Sequence, residues 1–162
     1  MPPEEVWRGF FDVERILDAM RIDADVTDAA DFGCGYGTFT IPAARRIRGV
    51  MYAMDIEPEM IRTVEQKSRT LGLTDIRPIL TDLQAEGSCL KNESVDYVML
   101  FNILHSEKPL TLLREAFRIL RQGGGVGIVH WTRDPATPRG PPLGDAPHRG
   151  PVRTLVRRSR FC

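Results

Sequence analysis

The sequence lacks the cysteine patterns that define disulfide-rich and zinc-binding proteins. Its 162 residues include three cysteines, Cys34, Cys89 and Cys162, and no two of them form a CxxC pair. An odd number of widely separated cysteines indicates neither a disulfide framework nor a zinc site. We therefore predict no metal ligands.

Long apolar runs are also missing. No stretch approaches the ~18 consecutive apolar residues that a membrane-spanning helix needs. The first five residues, MPPEE, have neither the basic start nor the apolar core of a signal peptide. We expect a cytoplasmic protein with no membrane span.

The chain has no excess of either charge, but its charges are unevenly distributed. Residues 1–130 contain 15 Lys and Arg against 20 Asp and Glu, whereas residues 131–162 contain 7 Arg against 2 Asp and half of the 12 prolines. Because the longer part has no basic bias, we expect no nucleic-acid partner. The change in composition predicts a domain over 1–131 and an irregular Pro/Arg-rich arm over 132–162.

Within residues 1–131, short apolar runs alternate with stretches of helical periodicity. The predicted strands are 28–32, 50–55, 76–80, 95–101 and 126–131, and the predicted helices are 4–20, 38–48 with Thr38 as N-cap, 58–71, and 109 to the glycines 123–125. This alternation predicts an α/β fold with a mostly parallel sheet and helices on both faces. In such folds, ligands bind beyond the carboxyl ends of the strands.

Chemically informative residues follow four of these strands. The first strand runs into the glycine turn D-F-G-C-G-Y-G, residues 31–37, where a backbone without Cβ atoms can approach a ligand closely. Asp55 ends the second strand and could accept hydrogen bonds from ribose hydroxyls. Asp82, with the N–H of Leu83, could bind an adenine, and Asn102 to His105 follow the fourth strand.

These segments together resemble class I S-adenosylmethionine-dependent methyltransferases, over about residues 28–131. The matching motifs are D-F-G-C-G-Y-G-T, M-D-I-E-P-E-M, T-D-L, V-D-Y-V-M-L-F-N-I-L-H and L-R-E-A-F-R-I-L-R-Q-G-G-G. F-N-I-L-H is similar to the ubiquinone/menaquinone-biosynthesis and arsenite methyltransferase branches. The resemblance implies a Rossmann-like fold, the cofactor S-adenosylmethionine and methyl transfer to a small-molecule acceptor that the sequence does not identify.

The resemblance also implies a role for each cofactor-binding residue. Residues of the glycine turn would hold the methionine moiety, and Asp55 would hold the ribose. Ile56, next to Asp55, belongs to the same site, and Asp82 with Leu83 would bind the adenine. Asn102 would lie beside the methionine end. The full predicted set is Asp31, Gly33, Cys34, Gly35, Gly37, Asp55, Ile56, Asp82, Leu83 and Asn102.

Several alternatives remain at this point. Asp55 and Asp82 could be helix caps, Cys34 a small turn residue, and His105 either a general base or a packing residue, so no catalytic residue is assigned. The chain could bind the cofactor without catalysis, as a scaffold subunit. It could also be a nicotinamide-dependent oxidoreductase, although Thr38 stands where the G-x-G-x-x-G fingerprint has its third glycine.

The arm predicts a departure from the usual form of this fold. Relatives of this type continue past strand five with a helix and an antiparallel strand pair, and residues 143–162 do not show that pattern. A changed reading frame or a truncated product is our hypothesis for this segment. We expect five recognisable strands without the final pair, which would leave strand five at an unprotected edge of the sheet. Such a domain should form a homodimer through that edge, cover the edge with its own arm, or be only marginally stable.

Overall fold

The structure is a computed structural model that describes Glu4, residues 11–130, and the backbone of residues 154–157. Strands and helices alternate along the chain as the sequence predicts. The elements are α1 (Val13–Ala19), β1 (Ala29–Phe32), α2 (Thr40–Ala44), β2 (Met51–Asp55), α3 (Pro58–Thr70), β3 (Ile76–Leu80), β4 (Val95–Phe101), α4 (Pro109–Ile119), β5 (Leu120–Val129) and β6 (Thr154–Arg157).

One sheet organises these elements, with the strand order β3-β2-β1-β4-β5-β6. The pairs among β1 to β5 are all parallel, which confirms the predicted Rossmann-like α/β architecture. The chain order reverses between β1 and β4, and a crevice forms at such a switch point beyond the carboxyl ends of the strands. The predicted glycine turn follows β1 at this position.

Apolar side chains fill both faces of the sheet. Leu17 of α1 and Val64 of α3 are fully buried on one face. Leu112 and Ile119 of α4 pack on the other face together with Phe32 of β1. Both faces of the parallel strands are therefore covered, which explains why β4 is a nearly continuous apolar sequence.

Several predicted helix boundaries are wrong. The first helix, predicted over 4–20, is interrupted at residues 11–12, and α1 begins at Val13 after the N-cap Asp12. The second helix begins at Thr40 after Phe39, so Thr38 is not its N-cap, and its α-helical part ends at Ala44. The last helix ends at Ile119 rather than at the glycines, because β5 begins at Leu120. Leu120 pairs with Val95, and Gly125 pairs with Tyr97 after a shift in register.

One strand lies within the segment that the sequence predicts to be irregular. β6 pairs antiparallel with β5, from Thr154 opposite Ile128 to Arg157 opposite Gly125. The β-branched residues of the segment Thr-Leu-Val-Arg suit a strand. β5 therefore has a neighbour on its outer side. A segment of the arm covers this edge, which is one of the three outcomes that the sequence leaves open, while most of the arm lies outside the described residues. The predicted homodimer stays a prediction.

Candidate functional site

The glycine turn after β1 is tied to the end of β2. The backbone N–H groups of Gly33 and Cys34 both donate to the carbonyl oxygen of Met54, at 2.8 Å each. Gly33, Gly35 and Gly37 have φ values of +76°, +51° and +78°, a region that side-chain-bearing residues rarely adopt. The turn thus holds its backbone in a conformation that requires glycine at three positions.

Space around the turn is equally restricted. A Cβ atom on Gly33 would lie 2.7 Å from Cδ1 of Ile103, in the loop after β4. A Cβ atom on Gly37 would lie 3.2 Å from both Ile41 and Val64. The turn therefore packs against α2 and α3 on one side and approaches the β4 loop on the other.

Asp31 lies directly before this turn and is almost completely buried. Burial raises the pKa of its carboxyl group to about 7. The hydrogen bond from the Thr40 hydroxyl, at 2.6 Å, acts in the opposite direction, and the nearby Asp55 carboxylate raises the pKa further. The turn thus begins at a carboxyl group that is costly to ionise unless a cation is close.

Asp55, at the end of β2, is buried but well supplied with hydrogen bonds. Its Oδ2 accepts from the N–H of Gly35 at 2.8 Å, and its Oδ1 accepts from the N–H of Glu57 at 3.0 Å. These two bonds fix the plane of the carboxylate and connect it to the glycine turn. Since each carboxylate oxygen can accept more than one hydrogen bond, Asp55 can still accept from a diol.

Cys34 lies between these two carboxyl groups. Burial, and then the charges of Asp31 and Asp55, raise the pKa of its thiol far above the usual range. A thiol that does not ionise is a poor nucleophile. The structure therefore favours the interpretation of Cys34 as a small residue of the turn.

The third predicted carboxylate forms part of its own turn. Oδ1 of Asp82 accepts from the N–H groups of Gln84 and Ala85, at 2.9 and 3.2 Å. Asp82 is half-buried, and its Oδ2 is not used by this turn. The side chain of Leu83 is buried in the core beside α4, so its backbone is the part that could face a ligand.

Two exposed apolar side chains lie between Asp55 and Asp82. Ile56, which follows Asp55, is 59% exposed, and Leu80, the last residue of β3, is 54% exposed. Leu80 pairs with Asp55 across the β2–β3 ladder. This end of the sheet thus combines a fixed carboxylate with apolar surface, as a nucleoside requires.

The loop after β4 is anchored to the end of β5. Asn102 has a φ of +57°, and its N–H donates to the carbonyl oxygen of Val129 at 2.7 Å. Asn102 is half-buried and His105 is exposed. The ring of His105 stacks on that of His130, with centroids 6.3 Å apart and planes 4° apart.

His130 and Ser106 are site residues that the sequence analysis missed. Nδ1 of His130 and Oγ of Ser106 are the buried side-chain polar atoms of the described residues that have no hydrogen-bond partner. Burial, and then the neighbouring His105, lower the pKa of His130. β5 ends at Val129, so His130 is the first residue beyond the carboxyl end of that strand, the edge where ligands bind, whereas the sequence predicts a strand through residue 131.

The opposite, amino edge of the sheet has a different character. Arg121 donates to the carboxylates of Asp28 and Asp96, at 2.9 Å each, and so joins β5 to the residue before β1 and to β4. A cavity of about 480 Å³ near it is lined by residues including Arg21, Asp96 and Gly124. The charges of Arg121, Asp28 and Asp96 are paired with one another, which indicates a structural role.

The described residues contain no group of three or more His, Cys, Asp or Glu side chains arranged to hold a metal ion. Nor does any helix in this part of the chain have the length and apolar character needed to cross a membrane.

The structure thus brings the predicted cofactor residues together in part. The glycine turn, Asp31 and Asp55 share direct or electrostatic contacts, and Ile103 connects the β4 loop to them. Asp82 follows β3, the strand paired with β2. The binding roles themselves stay predictions.

Comparison with known proteins agrees with this arrangement. Residues 29–124 match the family described as methyltransferase domain. The fold is similar to that of a SAM-dependent methyltransferase from Aquifex aeolicus, with a TM-score of 0.75 and 23% sequence identity. The similarity covers 85% of this chain and 73% of that one. At this identity, the second match supports the fold alone.

Sequence relatives share part of their length with this chain. A demethylmenaquinone methyltransferase from Protochlamydia amoebophila is 32% identical over 51% of this chain and 34% of its own length. An aklanonic acid methyltransferase from a Streptomyces species is 28% identical over 61% of this chain and 46% of its own length. The chain therefore spans less than half the length of these relatives.

The family match covers more than half of the chain, from β1 through the glycines of β5, and includes the turn and strand ends described above. The chain belongs to the class I S-adenosylmethionine-dependent methyltransferase domains.

Proposed function

We propose that this chain binds S-adenosylmethionine across the carboxyl ends of β1 to β4 and transfers its methyl group to a small-molecule acceptor. The observation that carries the proposal is the buried Asp55 carboxylate, held by the N–H of Gly35 from a turn with three left-handed glycines. A ribose diol fits this carboxylate, and a flexible methionine tail fits a backbone surface without Cβ atoms.

Other features of the site fit the remaining parts of the cofactor. The α-ammonium of a methionine moiety would favour the ionised form of Asp31, because a nearby cation offsets the cost of burying the charge of the carboxylate. Ile56 and Leu80 offer apolar surface to an adenine, and Asp82 offers an acceptor for its amino group. When bound, the cofactor supplies a methyl group on a positively charged sulfur, so the protein contributes alignment and exclusion of water.

Two of the relatives support a small-molecule acceptor in general terms. The two named methyltransferases act, by their names, on demethylmenaquinone and on aklanonic acid, both small organic molecules. We infer a small-molecule acceptor for this chain as well. A site limited to the carboxyl ends of one sheet is consistent with a ligand of that size.

The first test compares two aspartates at opposite edges of the sheet. Asp55→Asn removes the charge at the proposed ribose site, and we expect S-adenosylhomocysteine binding to weaken by ~2 kcal/mol, the usual effect of losing hydrogen bonds to a charged group. Asp28→Asn is the matched control, because Asp28 is also partly buried and bonded to backbone, through Val50, at the amino edge. Isothermal titration calorimetry with S-adenosylhomocysteine measures both variants.

The titration has clear contrary outcomes. If both variants bind like the wild type, or if Asp28→Asn alone loses affinity, the ribose site is not at Asp55. Binding of NAD by the wild-type chain, without binding of S-adenosylhomocysteine, would replace the methyltransferase proposal by an oxidoreductase one.

A further inference from the structure

The loop after β4 and the end of β5 form a second polar cluster at the carboxyl edge, defined by His105, Ser106 and His130. The N–H of Asn102 donates to the carbonyl oxygen of Val129, which directly precedes His130. The two histidine rings lie parallel, with centroids 6.3 Å apart. We call these three residues the histidine cluster.

The buried atoms without partners are concentrated in this cluster. Among the described residues, Oγ of Ser106 and Nδ1 of His130 are the buried side-chain polar atoms that lack a hydrogen-bond partner. Buried polar groups in folded proteins are nearly always paired, so these two exceptions, one in the loop after β4 and one directly after β5, need an explanation. A ligand that bears a hydroxyl group would satisfy them.

The position of the cluster relative to the proposed cofactor site supports this interpretation. Ile103, in the same loop, is the side chain that a Cβ on Gly33 would strike. The loop therefore lies against the glycine turn, at the predicted methionine end of the cofactor. An acceptor must approach that end, and β4 and β5 flank it on the side away from Asp55 and Asp82.

We propose that Nδ1 of His130 binds the hydroxyl group of the methyl acceptor and takes its proton during transfer. This inference rests on the proposed function. The acceptor oxygen forms its bond to the methyl carbon, the carbon–sulfur bond breaks with its electron pair left on sulfur, and the O–H proton passes to His130. The acceptor class is a small molecule with an acidic hydroxyl group, such as a phenol.

The state of His130 suits a proton acceptor. Its partial burial, and then the adjacent His105, favour the neutral ring, so a lone pair is present before the acceptor arrives. The charged residues Glu107 and Lys108 of the same loop are exposed. His105 is exposed as well, and its ring stacks on that of His130, so the buried nitrogen without a partner belongs to His130 and not to His105.

The test uses phenol as the probe and anisole as its match without a hydroxyl proton. The wild-type chain is first titrated with S-adenosylhomocysteine, and failure at this step contradicts the proposed function rather than the role of His130. With S-adenosylhomocysteine bound, phenol is added to protein carrying ¹⁵N-labelled histidine. We expect phenol, and not anisole, to shift the Nδ1 resonance of His130.

Two ring-preserving variants complete the test. His130→Phe removes the buried nitrogen and keeps an aromatic ring, and we expect phenol binding to fall about tenfold while S-adenosylhomocysteine binding is unchanged. Transfer from S-adenosylmethionine to phenol should fall about a hundredfold, the scale of losing a general base. His105→Phe is the control, and it should keep phenol binding.

Stability separates this role from a purely structural one. His130→Phe replaces an unpaired buried nitrogen by carbon, so the variant should melt no lower than the wild type. The inference is overturned if phenol and anisole act equally on His130, if His130→Phe binds and methylates phenol like the wild type, or if its only effect is a lower melting temperature. It is also overturned if the wild type binds S-adenosylhomocysteine but not phenol.

Discussion

Asp31 and Asp55 lie at the same edge of the sheet but differ in the hydrogen bonds that their carboxyl groups accept. Asp55 accepts two backbone N–H groups, whereas Asp31 is buried at the start of the turn with the hydroxyl of Thr40 as a donor. Burial therefore dominates at Asp31 and raises its pKa to about 7, with the charge of Asp55 adding to the effect. Ionising Asp31 costs stability in the ligand-free protein.

This cost predicts a pH dependence. Because the folded pKa of Asp31 is higher than its ordinary value of 3.8, the folded state holds the proton over a pH range where the unfolded state releases it. The free energy of unfolding should therefore fall as the pH rises from about 4 to about 7, and then level off. At ~1.4 kcal/mol per pKa unit, the loss is up to roughly 4 kcal/mol.

Asp31→Asn should remove this contribution and keep an acceptor for Thr40. We expect the variant to be more stable than the wild type at pH 8 and similar at pH 3, below the ordinary pKa of Asp31, in urea unfolding without ligand. Its binding of S-adenosylhomocysteine at pH 8 should be weaker, because the carboxylate is lost. Equal pH dependence of unfolding in the two proteins would contradict the burial argument.

The sequence could predict individual residues where a strand end and a residue type coincide. Asp31, Asp55 and the glycines were found because each follows an apolar run and has a specific chemical use. His130 was missed, because the sequence predicts a fifth strand over 126–131 that contains it, whereas β5 ends at Val129. Its ring contact with His105 depends on tertiary structure, and so does the loss of a partner for its Nδ1.

Elements were predicted well where local and tertiary preferences agree. α3 begins at Pro58 and is followed by Gly72 with a φ of +66°, both of which the sequence indicates. The boundary between α4 and β5 was wrong because Leu120 could continue the apolar stripe of the helix. Leu120 is part of β5 because it pairs with Val95 of β4.

α4 also stabilises the segment that leads into β4, through Glu115. Its carboxylate accepts from the N–H and hydroxyl of Ser88, at 2.7 and 2.6 Å, and from the guanidinium of Arg118 at 2.6 Å. Arg118 also donates to the carbonyl oxygen of Leu90 at 2.8 Å. These bonds connect the helix to a segment without regular secondary structure.

Glu115→Gln should therefore destabilise the protein at neutral pH. The hydrogen bond from Arg118, followed by those from Ser88, lowers the pKa of Glu115 to about 2. The stabilisation is complete above the ordinary pKa of 4.5 and is lost as the pH falls towards 2. We expect ~2 kcal/mol at pH 7, reduced for the partial exposure of Arg118.

Urea unfolding of the variant and the wild type at pH 7 and at pH 3 measures this effect. The difference between the two proteins should be smaller at pH 3. Glu59→Gln is the control, since Glu59 forms an exposed ion pair with Arg62 on α3 and should change stability little. A Glu115→Gln variant as stable as the control would show that the charge of Glu115, paired with Arg118, contributes little to stability.

At the scale of the whole molecule, the parallel sheet with helices on both faces could be inferred from the alternation of strands and helices. β6 could not, because its four residues lie in a segment rich in proline and arginine. Its pairing with β5 depends on an available sheet edge rather than on a local pattern. The two edges of the sheet also differ in their side chains. The ion pairs of Arg121 lie at the amino edge, and the proposed ligand-binding groups lie at the carboxyl edge.

A crystal structure of the chain with S-adenosylhomocysteine would show which edge of the sheet binds the cofactor. We predict the ligand at the glycine turn, with its ribose hydroxyls within hydrogen-bonding distance of Asp55 and its amino-acid end beside Gly33. Ligand density in the amino-edge cavity near Arg21 and Gly124, with the glycine turn empty, would contradict a cofactor site at the carboxyl edge.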